Sequence, residues 1–109
     1  MAYIPSRGDL VWLNFTPQSG HEQKGVRPAI IISPKEYNKK TGLALCCPIT
    51  SQVKGYPFEV LVNGEKISGA ILSDHLKNLD WKARKVKFIE QVSPDVIEEC
   101  IGKISVLLN

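Results

Sequence analysis

Hydrophobic and polar positions fall into short blocks along this chain, and most blocks have the length of a strand. Asp9-Leu10-Val11-Trp12-Leu13-Asn14-Phe15 is rich in apolar and aromatic residues and predicts a first strand. Arg27-Pro28 leads into Ala29 to Ser33, an unbroken apolar run that predicts a strand buried on both faces. Leu43 to Thr50 predicts a third strand. Between these two, Pro34 to Thr41 predicts a short helix, with proline in its first turn and an end near Gly42. Phe58 to Val62 and Glu65-Lys66-Ile67 flank Asn63-Gly64, a pair that tolerates positive φ and so predicts a tight hairpin. Gly69 to Ser73 continues the sheet. Lys85 to Ile89 alternates charged and apolar residues, as a half-exposed strand does.

The C-terminal stretch changes period. Ser93 is placed to cap a helix, Pro94 fits its first position and Asp95 favours its positive end. Ile97, Cys100, Ile101, Ile104, Leu107 and Leu108 then recur at spacings of three and four, which predicts one apolar face packed on the sheet. About six short strands and one closing helix predict a mainly β fold, a small and strongly bent antiparallel sheet or barrel. With 109 residues, no repeat and no linker-like region, the chain reads as one domain spanning 1–109. A domain of this size buries roughly two thirds of its unfolded surface. Dimerisation would add stability and build a larger groove.

Composition narrows the class. At 43% hydrophobic and 23% charged residues, the chain is too apolar to be a disordered one. A net charge of +3 permits an anionic partner without demanding one. No apolar run has the length of a membrane span, and the start of the chain lacks the pattern of a signal peptide. Cys46, Cys47 and Cys100 do not form a disulfide framework and read as small buried hydrophobes. The expectation is a cytoplasmic protein with no membrane partner.

Candidate chemistry gathers in three places. A polar loop from Thr16 to Gly25, long for so small a domain, offers His21, Glu22, Gln23 and Lys24, with Arg27 at its exit. The end of the third strand offers Thr50, Ser51 and Gln52, then Lys54 and Tyr56. A later strand ends in Ser73-Asp74-His75-Leu76-Lys77. No zinc-type cysteine spacing, phosphate-binding glycine loop or nucleophile elbow is present, so neither a metal nor a cofactor is expected. The three groups together supply what cleavage of an RNA phosphodiester requires. A base takes the proton of the 2′-hydroxyl, positive charge meets the phosphorane, and an acid protonates the leaving 5′-oxygen. Tyr56 offers a face for an unpaired base, and the lysines follow the backbone. Singly, each residue has a plainer reading. His21 and His75 read as solvated, Asp74 as a turn residue, and the basic cluster Lys82, Arg84, Lys85 and Lys87 as a solvated strand face or a docking surface for an acidic segment or for RNA phosphates.

Four segments carry a resemblance that covers nearly the whole chain. They are Arg7-Gly8-Asp9-Leu10-Val11-Trp12, Gly20-His21-Glu22-Gln23-Lys24-Gly25-Val26-Arg27-Pro28-Ala29, Pro48-Ile49-Thr50 and Lys54-Gly55-Tyr56-Pro57-Phe58. In order and spacing they resemble the MazF/PemK family of bacterial toxins, and the Tyr-Pro-Phe-Glu segment resembles the MazF branch. The resemblance implies an SH3-like, partly open antiparallel β-barrel and a homodimer with single-stranded RNA bound across it. It also implies metal-independent, sequence-specific cleavage to a 2′,3′-cyclic phosphate, and a cognate antitoxin whose C-terminal segment blocks the groove. Arg27 and Thr50 match the arginine and threonine that MazF-branch enzymes use in catalysis, and Glu22 matches the loop glutamate. His21 and Asp74 match two of the three PemK-branch residues, but Leu72 stands where that branch has arginine. The expected catalytic set is therefore Arg27, Thr50, Glu22 and His21. Gln23, Lys24, Ser51, Gln52, Lys54, Tyr56, Asp74 and Lys77 are expected to bind RNA.

Two other functions compete. A gyrase inhibitor of the CcdB type on the same scaffold would need a tryptophan-bearing C-terminal tip, and no tryptophan follows Trp81. A module that only binds RNA would keep the aromatic and basic groove and leave RNA intact.

Overall fold

A computed structural model describes residues 2–15 and 25–109 of the chain. In chain order the elements are β1 (Asp9–Asn14), β2 (Val26–Ile31), α1 (Lys35–Thr41), β3 (Leu43–Thr50), β4 (Glu59–Asn63), β5 (Ser68–Leu72), a 3-10 turn (Ser73–His75), β6 (Lys77–Asp80), β7 (Lys87–Gln91) and α2 (Pro94–Leu108). The strands form one antiparallel sheet in the order β4-β5-β3-β2-β1-β7, with β6 attached to β3.

β3 organises this sheet because it pairs with three strands. Cys46 to Pro48 pair with β2, Leu43 to Cys46 with β6, and Ile49 and Thr50 with β5. Pro48, which has no N–H to donate, sits where the ladder to β6 has ended and the ladder to β5 begins. The sheet curls about this strand and buries both faces of its central strands. One core contains Leu10, Ile30, Ile32, Cys47, Ile49, Val60, Ile71 and Ile89, closed by Cys100 and Ile104 of α2. The other contains Val11, Leu13, Phe15, Ala29, Ile31, Ala44, Cys46, Leu79 and Trp81. Burial on both sides is the physical reason that β2 reads as an unbroken apolar run.

α2 begins at Pro94 as expected, although the Ser93 side chain makes no capping hydrogen bond. Its apolar face is shorter than the spacing predicts. Cys100 and Ile104 are buried, whereas Leu107 and Leu108 stand outside the core, Leu108 at 79% exposure. β6 has no counterpart among the sequence expectations, and β7 runs two residues beyond the predicted Lys85 to Ile89.

The hairpin also differs from expectation. Asn63 pairs with Ser68, so the connection is Gly64 to Ile67: the predicted segment 65–67 belongs to the turn, and 69–73 corresponds to the single strand β5, Ser68–Leu72. Gly64 does not have positive φ. Its small size has another cause: a Cβ there would lie only 2.8 Å from Cδ of Glu90. The Glu90 carboxylate, on β7, accepts the backbone N–H groups of Glu65, Lys66 and Ile67 at 3.0, 2.9 and 3.0 Å. β4 and β7 are the two ends of the strand order, and this side chain joins them where no backbone ladder does.

Asn38 of α1 is the polar counterpart of the cores. It is fully buried, accepts the Ser33 hydroxyl at 2.5 Å, and donates to the carbonyls of Pro5 and Ser33 at 2.9 and 3.1 Å. The Trp81 indole N–H donates to its carbonyl at 3.0 Å. One side chain thus ties the N-terminal segment and the exit of β2 to α1.

Asn38→Ala leaves the Pro5 and Ser33 carbonyls without this donor and the Ser33 hydroxyl proton without this acceptor, although the hydroxyl oxygen still accepts the Leu45 N–H. It is expected to lower stability by about 2–4 kcal/mol, read as a reduced urea midpoint with unchanged slope. Glu90 is held below its ordinary value of 4.5 by the N–H groups of Lys66, Ile67 and Glu65, against the opposing effect of desolvation. Its contribution is therefore complete above that value and disappears as pH falls through the lower folded-state value. Melting temperatures measured from neutral to acid pH are expected to show this acid-side loss in the natural protein and not in Glu90→Gln.

Candidate active site

Alternation along β2 and β3 places the two expected catalytic side chains on one face. Ala29 and Ile31 face the second core, and Arg27 shares their side of β2. Cys46 faces the same core, and Pro48 and Thr50 share its side of β3. The register pairs Ala29 with Pro48, so Arg27 and Thr50 are the next residues outward on that face of the two strands. Arg27 is exposed and lies opposite Leu13 of β1. The Thr50 hydroxyl oxygen accepts the N–H of Gln52 at 3.1 Å, which leaves its own O–H to donate elsewhere. β5 passes close beside it: a Cβ on Gly69 would lie 3.1 Å from the Thr50 carbonyl carbon.

Thr50 opens onto a cavity of about 530 Å³ lined also by Gln52, Lys54, Tyr56, Glu59, Leu72 and His75. Gln52, Lys54 and Tyr56 supply one wall, and the loop 51–57 that carries them is exposed throughout. Side chains fasten this loop at three points. Glu59 accepts the N–H groups of Lys54, at 3.2 and 3.3 Å to its two oxygens, and of Gly55 at 3.0 Å. The Tyr56 hydroxyl donates to Asp74 Oδ2 at 2.5 Å. Lys103 of α2 donates to the Pro57 carbonyl at 2.6 Å. The Asp74 bond, with desolvation adding to it, holds the Tyr56 phenol above its usual range, so the group stays neutral. The Tyr56 ring is 46% exposed and tilted against Phe58, with centroids 6.1 Å apart.

The structure therefore brings together Thr50, Gln52, Lys54 and Tyr56, with Asp74 bonded to Tyr56. Ser51 is exposed outside the cavity wall, and Lys77 opens β6 opposite Cys46, away from that wall. His21, Glu22, Gln23 and Lys24 lie outside the described residues. Glu59, Leu72 and His75 line the cavity although sequence reasoning did not select them. For Glu59 and His75 a signal was present, because each stands in a segment already singled out, Tyr56-Pro57-Phe58-Glu59 and Ser73-Asp74-His75.

Other groups drop out of the chemistry. All three cysteines are buried and free. Burial pushes the thiols of Cys46 and Cys100 up to about 12 and raises Cys47 as well, so none supplies a thiolate near neutral pH. Among the described residues, no three His, Cys, Asp or Glu side chains form a metal-binding group. The basic cluster is divided in its roles. Arg84 donates to the Asn14 carbonyl at 3.1 Å, Lys82 lies 5.9 Å from the centre of the Trp81 ring, and Lys85 and Lys87 border a groove with Trp12 and Val26.

Residues 6–108 match the family described as PemK-like, MazF-like toxin of type II toxin-antitoxin system. The chain belongs to this toxin family. It is 45% identical over 107 residues to the endoribonuclease toxin MazF of Escherichia coli strain K12, covering 98% of this chain and 96% of that one. The crystal structure of MazF from Deinococcus radiodurans superposes with a TM-score of 0.93 at 50% identity, covering 98% of both chains. A MazE–MazF structure from the same organism gives 0.88 at 44% identity, covering 99% of this chain and 98% of that one. The bent antiparallel sheet with a closing helix, expected from the residue pattern, is thus the fold of this MazF-like toxin, curled into the half-barrel of the MazF structures.

Tyr56→Phe removes one of the loop's fastenings and leaves the cores untouched. Amide hydrogen exchange of residues 52–57 is expected to accelerate about fivefold, the equivalent of one hydrogen bond of about 1 kcal/mol. Unchanged protection, read by mass spectrometry, would show that the other two tethers suffice.

Proposed function

We propose that this chain is the endoribonuclease toxin of a type II toxin–antitoxin pair, acting as one domain over 1–109 in the cytoplasm. It cleaves single-stranded RNA at a short sequence, with messenger RNA as its cellular target, and so arrests translation and growth. The observation that carries this reading is the cavity at the end of β3, where Thr50 stands one strand away from Arg27 on the same face.

RNA holds its own nucleophile in the 2′-hydroxyl, so the protein has only to move protons and meet charge. Attack of the 2′-oxygen on phosphorus displaces the 5′-oxygen, giving a 2′,3′-cyclic phosphate and a 5′-hydroxyl. The Arg27 guanidinium offers positively charged, forked donors to the phosphorane. Thr50 donates its hydroxyl to a phosphoryl oxygen. Glu22 and His21 are the loop's candidates for proton transfer. Histidine titrates in a range suited to that role, whereas glutamate needs burial under RNA to raise its pKa. Gln23, Lys24, Ser51, Gln52, Lys54, Tyr56 and Lys77 contact the flanking nucleotides. None of these steps calls for a metal or a cofactor.

Two copies would form a homodimer with the groove running across it, and the apolar side chains left exposed on the last turn of α2 support such an interface. The partner is a MazE-like antitoxin whose C-terminal segment occupies the same groove. The support is the family itself, together with the MazE–MazF structures of the Deinococcus relative.

Incubation with mixed-sequence single-stranded RNA in excess EDTA, followed by mapping of the ends, is expected to show cuts at one short motif carrying cyclic phosphates. Arg27→Ala is expected to lower the cleavage rate by more than about 100-fold while the dimer survives in size-exclusion chromatography. Intact RNA with the natural protein would favour a binding module or a gyrase inhibitor.

A further inference from the structure

His75 sits in the wall of the cavity and belongs to none of the four segments that carry the family resemblance. It ends the 3-10 turn between β5 and β6, directly after Asp74. The two oxygens of Asp74 are treated differently. Oδ2 accepts the Tyr56 hydroxyl, whereas Oδ1 is buried and has no hydrogen-bond partner. A buried carboxylate oxygen without a partner is costly, and a nearby cation offsets the cost. His75 supplies the side chain at hand: its Nε2 lies 3.9 Å from Oδ1, with Asp74 19% and His75 41% exposed.

The ring presents Nε2 to Asp74 across a gap longer than a hydrogen bond. With Nε2 toward Asp74, Nδ1 is the nitrogen left for a ligand, and the residue lines the same cavity as Thr50, Gln52 and Lys54. The remaining ionisable groups around it do not replace Asp74. Glu59 of β4 is engaged by the amides of Lys54 and Gly55, and the Tyr56 phenol is neutral. Cys47 of β3, whose thiol contacts the Ser73 carbonyl, and Cys100 of α2 are held neutral by burial. Lys103 of α2 is bonded to Pro57, and Lys54, across the cavity, adds positive charge. The Lys54 ammonium and the His75 ring, lining one cavity, together offer donors that suit an anionic oxygen.

We propose that His75 is a phosphate contact of the RNA groove, its protonated ring donating from Nδ1 to a backbone phosphate while Asp74 lies on the Nε2 side. The inference rests on the cavity being the RNA site. Asp74 is then a positioning residue that acts on RNA through His75 and Tyr56. RNA affinity becomes proton-dependent, because histidine changes charge between about pH 5 and pH 8.

The test uses the RNA motif mapped in the cleavage experiment, made with 2′-O-methyl groups so that it cannot be cut. Its affinity is measured by fluorescence anisotropy for the natural protein, His75→Gln and His75→Lys at about pH 5.5 and about pH 8. The natural protein is expected to bind about tenfold more tightly at the lower pH. His75→Gln is expected to bind weakly at both, and His75→Lys tightly at both. The slope of log affinity against log salt at the lower pH is expected to fall by about 0.7 in His75→Gln, as loss of one phosphate contact to a single strand requires. A purely structural role would move neither the pH dependence nor the salt slope, and unchanged melting temperatures exclude misfolding. Equal pH dependence in the natural protein and His75→Gln, or weak binding by His75→Lys, overturns the assignment while cleavage stands. Failure of the natural protein to bind or cut RNA at all overturns the RNA reading and this inference with it.

Discussion

The structure depends on the demand that one strand, β3, satisfy three neighbours. A flat sheet offers a strand two partners. β3 takes a third by giving its first half to β6 and its last two residues to β5. The sheet must then bend, and bending creates two concave sides that both need filling with apolar side chains. The alternating sets Cys47 and Ile49, and Ala44 and Cys46, fill them. The same demand brings Thr50 to the edge of the curl, where the loop that follows must leave the sheet. Site and core are thus two ends of one strand.

A curled sheet that does not close leaves two edges, and exposed edges are open to unwanted pairing. Here β7 reaches the β4–β5 turn through the Glu90 carboxylate, and Gly64 provides the space for it. A backbone ladder would require the two strands to run side by side in register. A carboxylate asks only for a turn with three N–H groups pointing outward, so the seam tolerates a gap that a ladder would not.

The elements that were legible in the sequence are those whose signal is local. β1, β2, β3, α1 and α2 announce themselves through apolar runs, a proline at a helix start and spacings of three and four. β6 did not, because Lys77–Asp80 contains one buried side chain, Leu79, and becomes a strand only through β3. Asn63-Gly64 was misread for a related reason: the residue that explains Gly64 is Glu90, far along the chain. Leu107 and Leu108 continue the helical spacing past the point where the sheet ends beneath it. At the site, the strand-end residues were legible through the family pattern. The bond of Tyr56 to Asp74, 18 positions apart in sequence, was not, and neither was the place of His75 beside it.

The way residues 51–57 are held has an evolutionary side. The loop is fastened to the fold by Glu59, by the Tyr56–Asp74 bond and by Lys103, and contributes no side chain to either core. Gln52 precedes those fastenings, lines the cavity and is exposed. Mutations there reshape the cavity wall without drawing on the stability of the barrel. The shape of the cavity and the folding of the scaffold can therefore drift independently, so that a lineage can vary the one by single substitutions while inheriting the other unchanged.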